Sequence, residues 1–284
     1  MSTSFDSNST QATDLNSTGP QCVIVGGAES QRESRDRALF DNIAEGYAAK
    51  DCSPSCRPAR KLRLRQTIDA LPAASFIDKH VLEVGCGAGY AADYLPPTYA
   101  SYFGIDYSQM LIDVASATHA SDRVRFAAIN ARDLKPERPF DLIFMIGVLH
   151  HMDRRDEMVR HLVSLLTPGG WLVVNEPQPG NPLIRVARKT RKQIDTKYSD
   201  DQLELSGKEI SQCFVDCGLT AIRIKPQGLF STPFAEVPLK PHLLSRPAAH
   251  FACMIDRTME STIAPLLGRI TWNVIVAGQK PERS

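Results

Sequence analysis

The sequence predicts an α/β protein with a doubly wound, mostly parallel, seven-stranded sheet. From residue 80 onward, seven short apolar runs recur with helix-length segments between them. The runs are rich in Val, Ile and Leu without strict alternation, as expected for parallel strands covered on both faces. Regular alternation of strand and helix signals argues for a doubly wound sheet. The 284 residues, 43% hydrophobic and 23% charged, suit one large domain with additions.

Taken in order, residues 1–20 ("MSTSFDSNSTQATDLNSTGP") are almost wholly polar and are expected to form a disordered tail. "CVIVGG" (Cys22 to Gly27) is a short apolar run, either an isolated strand or a tail segment. "RDRALFDNIAEGYAAKD" reads as a helix, with Leu39, Phe40, Ile43 and Tyr47 at helical spacing. "ARKLRLRQTIDAL" reads as a second amphipathic helix, stopped by Pro72. The strands are "HVLEV", "SYFGID", "VRFAAI", "FDLIFMI", "GWLVVNE", "TAIRIK" and "TWNVIVAG". Between them lie the helices "SQMLIDVAS", "RDEMVRHLVSLL" (closed by Thr167, Pro168, Gly169 and Gly170) and "SGKEISQCFVDCGL". The last opens on Ser206 with Glu209 three residues later, a capping-box spacing.

Two stretches, 177–205 and 227–268, break the alternation. Both lie near the carboxyl ends of strands, where open α/β sheets bind ligands, and both are expected to form a substrate cap. Within them, "NPLIRVARKTRKQID" places Leu183, Val186, Ala187, Thr190 and Ile194 on one helical face and five cations on the other. That helix is either a solvated charged face or, through 183–194, a weak contact for a membrane surface. "HFACMIDRTMESTIAPLL" sets Phe251, Ile255, Met259 and Ile263 in register, with Met254 and Leu266 nearby. It is either an apolar acceptor wall or an ordinary packing helix.

A net charge of +1 gives no reason to expect a polyanionic partner for the whole chain, and no nucleic acid is expected. Seven cysteines and a polar start without a signal peptide suggest a reduced, cytoplasmic setting. No apolar stretch approaches the roughly 20 residues that span a bilayer. Cys52 and Cys56 lack a further Cys or His pair at ligand spacing, so no metal is expected. Cys213 and Cys217 read as two small apolar residues on one helical face.

The informative stretch is "VLEVGCGAGY", Val81 to Tyr90. Gly85, Gly87 and Gly89 follow the first strand and permit a tight turn with close approach of backbone to a ligand. A dinucleotide loop would place its third glycine where Tyr90 stands. Glu83 precedes the loop by two residues. An anion about 5 Å from a phosphate is unfavourable by ~3 kcal/mol at an effective dielectric of 20, so the loop prefers a cationic ligand. Asp106 closes the second strand, where a carboxylate can accept from ribose hydroxyls. Asn130, after the third strand, is placed to address an adenine edge. Adenosine joined to an amino acid with an ammonium group is S-adenosyl-L-methionine.

"VLEVGCGAGY", "GIDYS", "FDLIFMIGVLHHM" and "LTPGGWLVVNEP" resemble motifs of the class I S-adenosylmethionine-dependent methyltransferases, in the small-molecule group of the type 11 and 12 families. The resemblance covers roughly residues 38–226. It implies a Rossmann-like fold whose seventh strand is antiparallel and inserted beside the fifth. It also implies a helical N-terminal segment and lid over 21–78 and a catalytic domain over 79–284. Carried over, Glu83, Gly85, Gly87 and Gly89 would surround the methionine portion, Asp106 the ribose and Asn130 the adenine, where many members have Asp. Ile146 and Gly147 would line the sulfonium side, and Tyr47 would close over the donor unless it is a plain core aromatic.

Methyl transfer requires alignment, exclusion of water and, for a hydroxyl acceptor, removal of a proton. His151, just past the fourth strand, is the candidate base, or else it holds the loop by packing. His150 is expected to turn away, since adjacent residues face differently. Glu176 points toward the acceptor region, to orient an acceptor or to stay structural. The expected activity is methylation of a small, apolar or ring-containing metabolite, chiefly at oxygen. The alternatives are nitrogen or carbon methylation of a small molecule, or a lipid- or quinone-type acceptor at a membrane surface. A nucleic-acid methyltransferase would show N/D-P-P-Y or Pro-Cys after the fourth strand, and "MIGVLHH" has neither. A non-catalytic adenosyl- or NAD-binding module is the remaining rival.

Overall fold

The computed structural model describes residues 31–72, 75–152, 154–179, 205–262, 268 and 270–282. A seven-stranded sheet runs in the order β3-β2-β1-β4-β5-β7-β6. Its strands are β1 (His80–Val84), β2 (Ser101–Asp106), β3 (Val124–Ala128), β4 (Phe140–Ile146), β5 (Leu166–Pro177), β6 (Thr220–Gln227) and β7 (Asn273–Gln279). Pairings among β1 to β5 are parallel, whereas β7 runs antiparallel to both β5 and β6. The last strand is therefore inserted beside the fifth, as the resemblance implied.

The apolar runs become strands because both of their faces are buried. One face carries Leu82, Ile143, Met145, Leu172 and Val174 under α5 (Arg155–Ser164) and α6 (Gly207–Asp216). The other carries Val81, Leu142, Phe144, Val173 and Ile275 under α2 (Arg57–Ile68) and α3 (Tyr90–Tyr94). Such two-sided burial removes the alternation a half-exposed strand would show. The capping box at Ser206 forms, with the side chains of Ser206 and Glu209 each satisfying the other's backbone. In contrast, Thr167 to Gly170 do not simply close α5, which ends at Ser164. They are already part of β5, which starts at Leu166.

The N-terminal helix α1 (Gln31–Cys52) is longer than its apolar spacing suggested. Ala44 and Ala48 pack with Ala88 and with Leu111 of α4 (Gln109–His119), while Phe40 and Tyr47 close the edge of this cluster. This small contact lays α1 across the carboxyl ends of β1 and β2.

Between β6 and β7 the chain forms α7 (Thr232–Glu236) and α8 (His242–Thr262). Ala235 and Cys253 pack there against Ala59 and Leu62 of α2. The stripe read as either an acceptor wall or a packing face is split: Ile255 and Met259 are half-buried, and Phe251 points outward. Phe251 and Met254 are exposed, and Ala249, Ala252, Cys253 and Asp256 face inward. A helix rotated in this sense satisfies Asp256, whose carboxylate accepts from the backbone N–H groups of Leu229, Phe230 and Ser231. Ile263 and Leu266, the "CVIVGG" run and the segment 181–195 lie outside the described residues.

Candidate active site

Three glycines after β1 adopt positive φ: +72° at Gly85, +52° at Gly87 and +79° at Gly89. Two of them have no room for a side chain. A Cβ on Gly85 would lie 2.4 Å from Val148 Cγ2, and one on Gly89 would lie 2.8 Å from Phe126. The loop therefore needs glycine both for its backbone conformation and for close packing. At Gly87 the nearest atom is Tyr47 Cε1, 3.3 Å from a built Cβ. Tyr47 thus lies over the loop as a cover, with the Arg60 guanidinium 5.3 Å from its ring centre.

Asp106 ties the loop to β2. Its Oδ2 accepts from the Gly87 N–H at 3.0 Å and its Oδ1 from the Ser108 N–H at 3.0 Å. Burial raises its carboxyl above the ordinary range, opposed by these backbone donors. Ser108 caps α4 through the Leu111 N–H and donates to Asp41 of α1 at 2.5 Å.

A cleft opens beside this arrangement. Val84, Ile105, Ile129, Val148, Met152 and Met158 form apolar walls, and Gly85, Asp106, Asn130 and His151 contribute polar groups. Helix α1 adds Glu33 and Asp36. Asn130 Oδ1 accepts from the Arg132 N–H at 3.1 Å and so caps the short turn Ala131–Asp133. Glu33 is ion-paired to Arg132 at 2.5 Å, which anchors α1 to the far rim.

On the near rim, the turn Leu149–His151 follows β4. His151 Nδ1 lies 3.4 Å from Asp36 Oδ2, and burial holds its imidazole below the usual value. The Asp36 hydrogen bond opposes that lowering. His150 does turn away from the cleft, but into a specific partner. Its Nδ1 lies 2.7 Å from Glu176 Oε2, and its ring centre is 4.1 Å from that of His151.

Three placements expected from the sequence need correction. Glu176 does not project into an open acceptor region. It is fully buried, and its oxygens accept from the N–H groups of Val148 (3.0 Å), Leu149 (2.8 Å) and His150 (3.3 Å). A buried carboxylate requires such donors, and here they hold the His150–His151 turn in place. Glu83 turns from the cleft to accept from the Tyr102 hydroxyl, and burial pushes its carboxyl up to about 8. It therefore does not supply the guarding charge near neutral pH; Asp106, Asp36 and Glu33 stand at the cleft instead. Ile146 packs with the core on the α2 side of the sheet. Gly147, at φ +68°, turns the chain so that Val148 becomes the cleft wall.

Asp36 did not stand out in the sequence, though its signal is present. It stands four residues before Phe40, on the stripe that continues to Ile43 and Tyr47. A carboxylate on an apolar stripe will be buried and needs a donor.

Residues 82–172 match the family model described as a methyltransferase domain. The chain carries a methyltransferase domain. Over 98 residues it is 35% identical to a ubiquinone biosynthesis O-methyltransferase of Coxiella burnetii, covering 33% of this chain and 42% of that protein. Over 104 residues it is 33% identical to a fatty-acid O-methyltransferase of Mycolicibacterium smegmatis, covering 36% and 38%. The chain thus spans less than half the length of these curated relatives. Among solved structures, the magnesium protoporphyrin IX methyltransferase of Synechocystis, with bound SAH, superposes with a TM-score of 0.60 at 14% identity. That match covers 88% of this chain and 100% of the other, and it shows a shared fold. The matched span holds Gly85, Gly87, Gly89, Asp106, Asn130 and His151; Asp36 and Tyr47 of α1 precede it.

Proposed function

We propose that this protein moves a methyl group from S-adenosyl-L-methionine to a small, apolar or ring-containing acceptor, at oxygen. The observation that carries the reading is the pairing of a side-chain-free loop with Asp106 at one apolar cleft. Gly85 brings backbone to the cleft, and Asp106 and Asn130 offer polar atoms beside walls suited to a nucleoside. Three carboxylates at the cleft, Glu33, Asp36 and Asp106, disfavour a pyrophosphate and favour a ligand with cationic character. The residues present therefore fit the adenosyl donor better than a dinucleotide.

When bound, the donor supplies an electrophilic methyl group on a sulfonium. The chain's own residues do the rest. Asp106 and Asn130 hold the nucleoside, and Tyr47 covers the loop. Helix α1, fixed by Glu33–Arg132 and Asp36–His151, excludes water from the cleft. His151, whose imidazole burial holds below its usual value, accepts the acceptor's proton at the ring nitrogen not facing Asp36 as the methyl arrives. Asp36 and Glu176 are positioning residues for that imidazole.

Oxygen is favoured over nitrogen or carbon because both of these curated relatives are named O-methyltransferases. Their names also point to lipophilic acceptors, in keeping with the apolar cleft. The test is direct. S-adenosylhomocysteine should raise the melting temperature of the purified protein while NAD leaves it unchanged. A screen of phenolic and carboxylic acceptors with labelled donor should then yield base-stable ethers or base-labile esters. Stabilisation by NAD and not by S-adenosylhomocysteine would overturn the reading.

A further inference from the structure

Helix α8 has sorted its side chains in a way that core packing does not explain. Of the twelve large hydrophobic side chains standing exposed among the described residues, seven lie between Phe230 and Met254. Four belong to α8: Leu243 (84% exposed), Leu244 (69%), Phe251 (60%) and Met254 (56%). At 100° per residue these four fall within one outward arc of about a quarter turn. Patches of this kind on a protein surface mark a contact.

The charges of the helix are sorted too. Arg246, His250 and Arg257, all exposed, run along one side of the apolar arc. Both acidic residues of the helix are engaged inward. Asp256 accepts from the loop at Leu229–Ser231, and Glu260 accepts from the Gly228 N–H at 2.7 Å and from Gln66. A shallow groove between Pro54 and the start of α8 is bordered by His242, Arg246 and His250, one helical turn apart in succession. The outward face is thus apolar, cationic and free of the helix's own carboxylates.

Charge decides between occupants. A second copy would bring the same cationic row against this one. The 183–194 segment of this chain carries Arg185, Arg188, Lys189, Arg191 and Lys192 and would be repelled likewise. An anionic bilayer surface matches both properties, apolar side chains entering the acyl boundary and arginines meeting lipid phosphates. Among the described residues no helix is long and apolar enough to cross a membrane, so the contact lies in the interfacial plane.

We propose that the outward face of α8, led by Leu243, Leu244 and Phe251 and flanked by Arg246 and Arg257, docks this protein on an anionic phospholipid surface. The inference stands apart from the reaction assigned to the cleft.

The full chain, sedimented with phosphatidylcholine vesicles and with vesicles also containing phosphatidylglycerol, tests it. Wild type should bind the anionic vesicles at least ~10-fold better, with binding weakened by added salt. Leu243→Glu with Leu244→Glu should abolish binding, and Phe251→Gln should reduce it. Arg246→Gln and Arg257→Gln should each weaken it by roughly five-fold. Melting temperatures near that of the wild type would show that these surface variants remain folded. No vesicle binding, equal binding to neutral vesicles, or α8 variants that bind like wild type would overturn the proposal. So would loss of binding on Arg188→Gln with Lys189→Gln alone. If the leucine variants instead turned a dimer into a monomer, the face would be a self-interface and the lipid reading would fail.

Discussion

Asp36 Oδ2 and His151 Nδ1 lie 3.4 Å apart, joining helix α1 to the turn after β4 across 115 residues of chain. Burial lowers the His151 imidazole, and the Asp36 hydrogen bond works against that lowering. Asp36→Asn should therefore lower it further, moving the acidic limb of the rate profile to lower pH, because the base stays deprotonated longer. His151→Ala should reduce kcat by ~10²–10⁴ with donor affinity kept, the range of a positioned base. Full turnover in His151→Ala, measured with saturating acceptor, would return this histidine to a packing role.

Glu176 should act on activity only through the turn it holds. Replacing it by Ala leaves the Val148, Leu149 and His150 N–H groups and the His150 ring without their acceptor. Denaturant unfolding should then show a loss of at least ~3 kcal/mol, at 1–3 kcal/mol for each buried group left unsatisfied. Glu176→Gln should recover part of this, since one amide oxygen still accepts. A Glu176→Ala protein as stable as wild type would mean that the cage contributes nothing.

The glycine loop should tolerate change unequally. Gly85→Ala meets Val148 at 2.4 Å, whereas Gly87→Ala meets only the edge of Tyr47 at 3.3 Å. Both suffer ~1–2 kcal/mol from their left-handed backbone, and Gly85→Ala adds a clash. Val148→Ala should rescue Gly85→Ala in part, and Tyr47→Ala should not help it. Gly87→Val should remove the thermal stabilisation by S-adenosylhomocysteine; normal binding by that variant would refute the loop assignment.

Glu83 makes stability depend on pH. Burial raises its carboxyl from an ordinary 4.5 to about 8 in the folded protein. The folded state therefore holds a proton that the unfolded chain releases. This contribution is complete below about pH 4.5 and is lost as pH rises toward about 8. Glu83→Gln should flatten the fall in melting temperature between pH 5 and 8 relative to wild type. Parallel curves for the two proteins would show that Glu83 is already ionised when folded.

The alternation of apolar runs with helix-length segments determined the sheet and its covering helices, because two-sided burial leaves its mark on strand composition. The glycines of "VGCGAGY" were equally legible, since a left-handed backbone and a missing Cβ are properties of residue type. The motif resemblance supplied the antiparallel seventh strand. Orientation was decided only by the tertiary structure. Glu83, Glu176 and Ile146 lie at the strand ends where they were expected, yet face Tyr102, the His150 turn and the α2-side core. Of the stripe Phe251, Ile255 and Met259, the first is exposed while the other two are half-buried, because the helix is turned to bury Asp256. The pairing of Asp36 with His151 depends on how α1 lies over the cleft. A linear pattern specifies which residues share a face; what that face meets is chosen by packing among elements far apart in the chain.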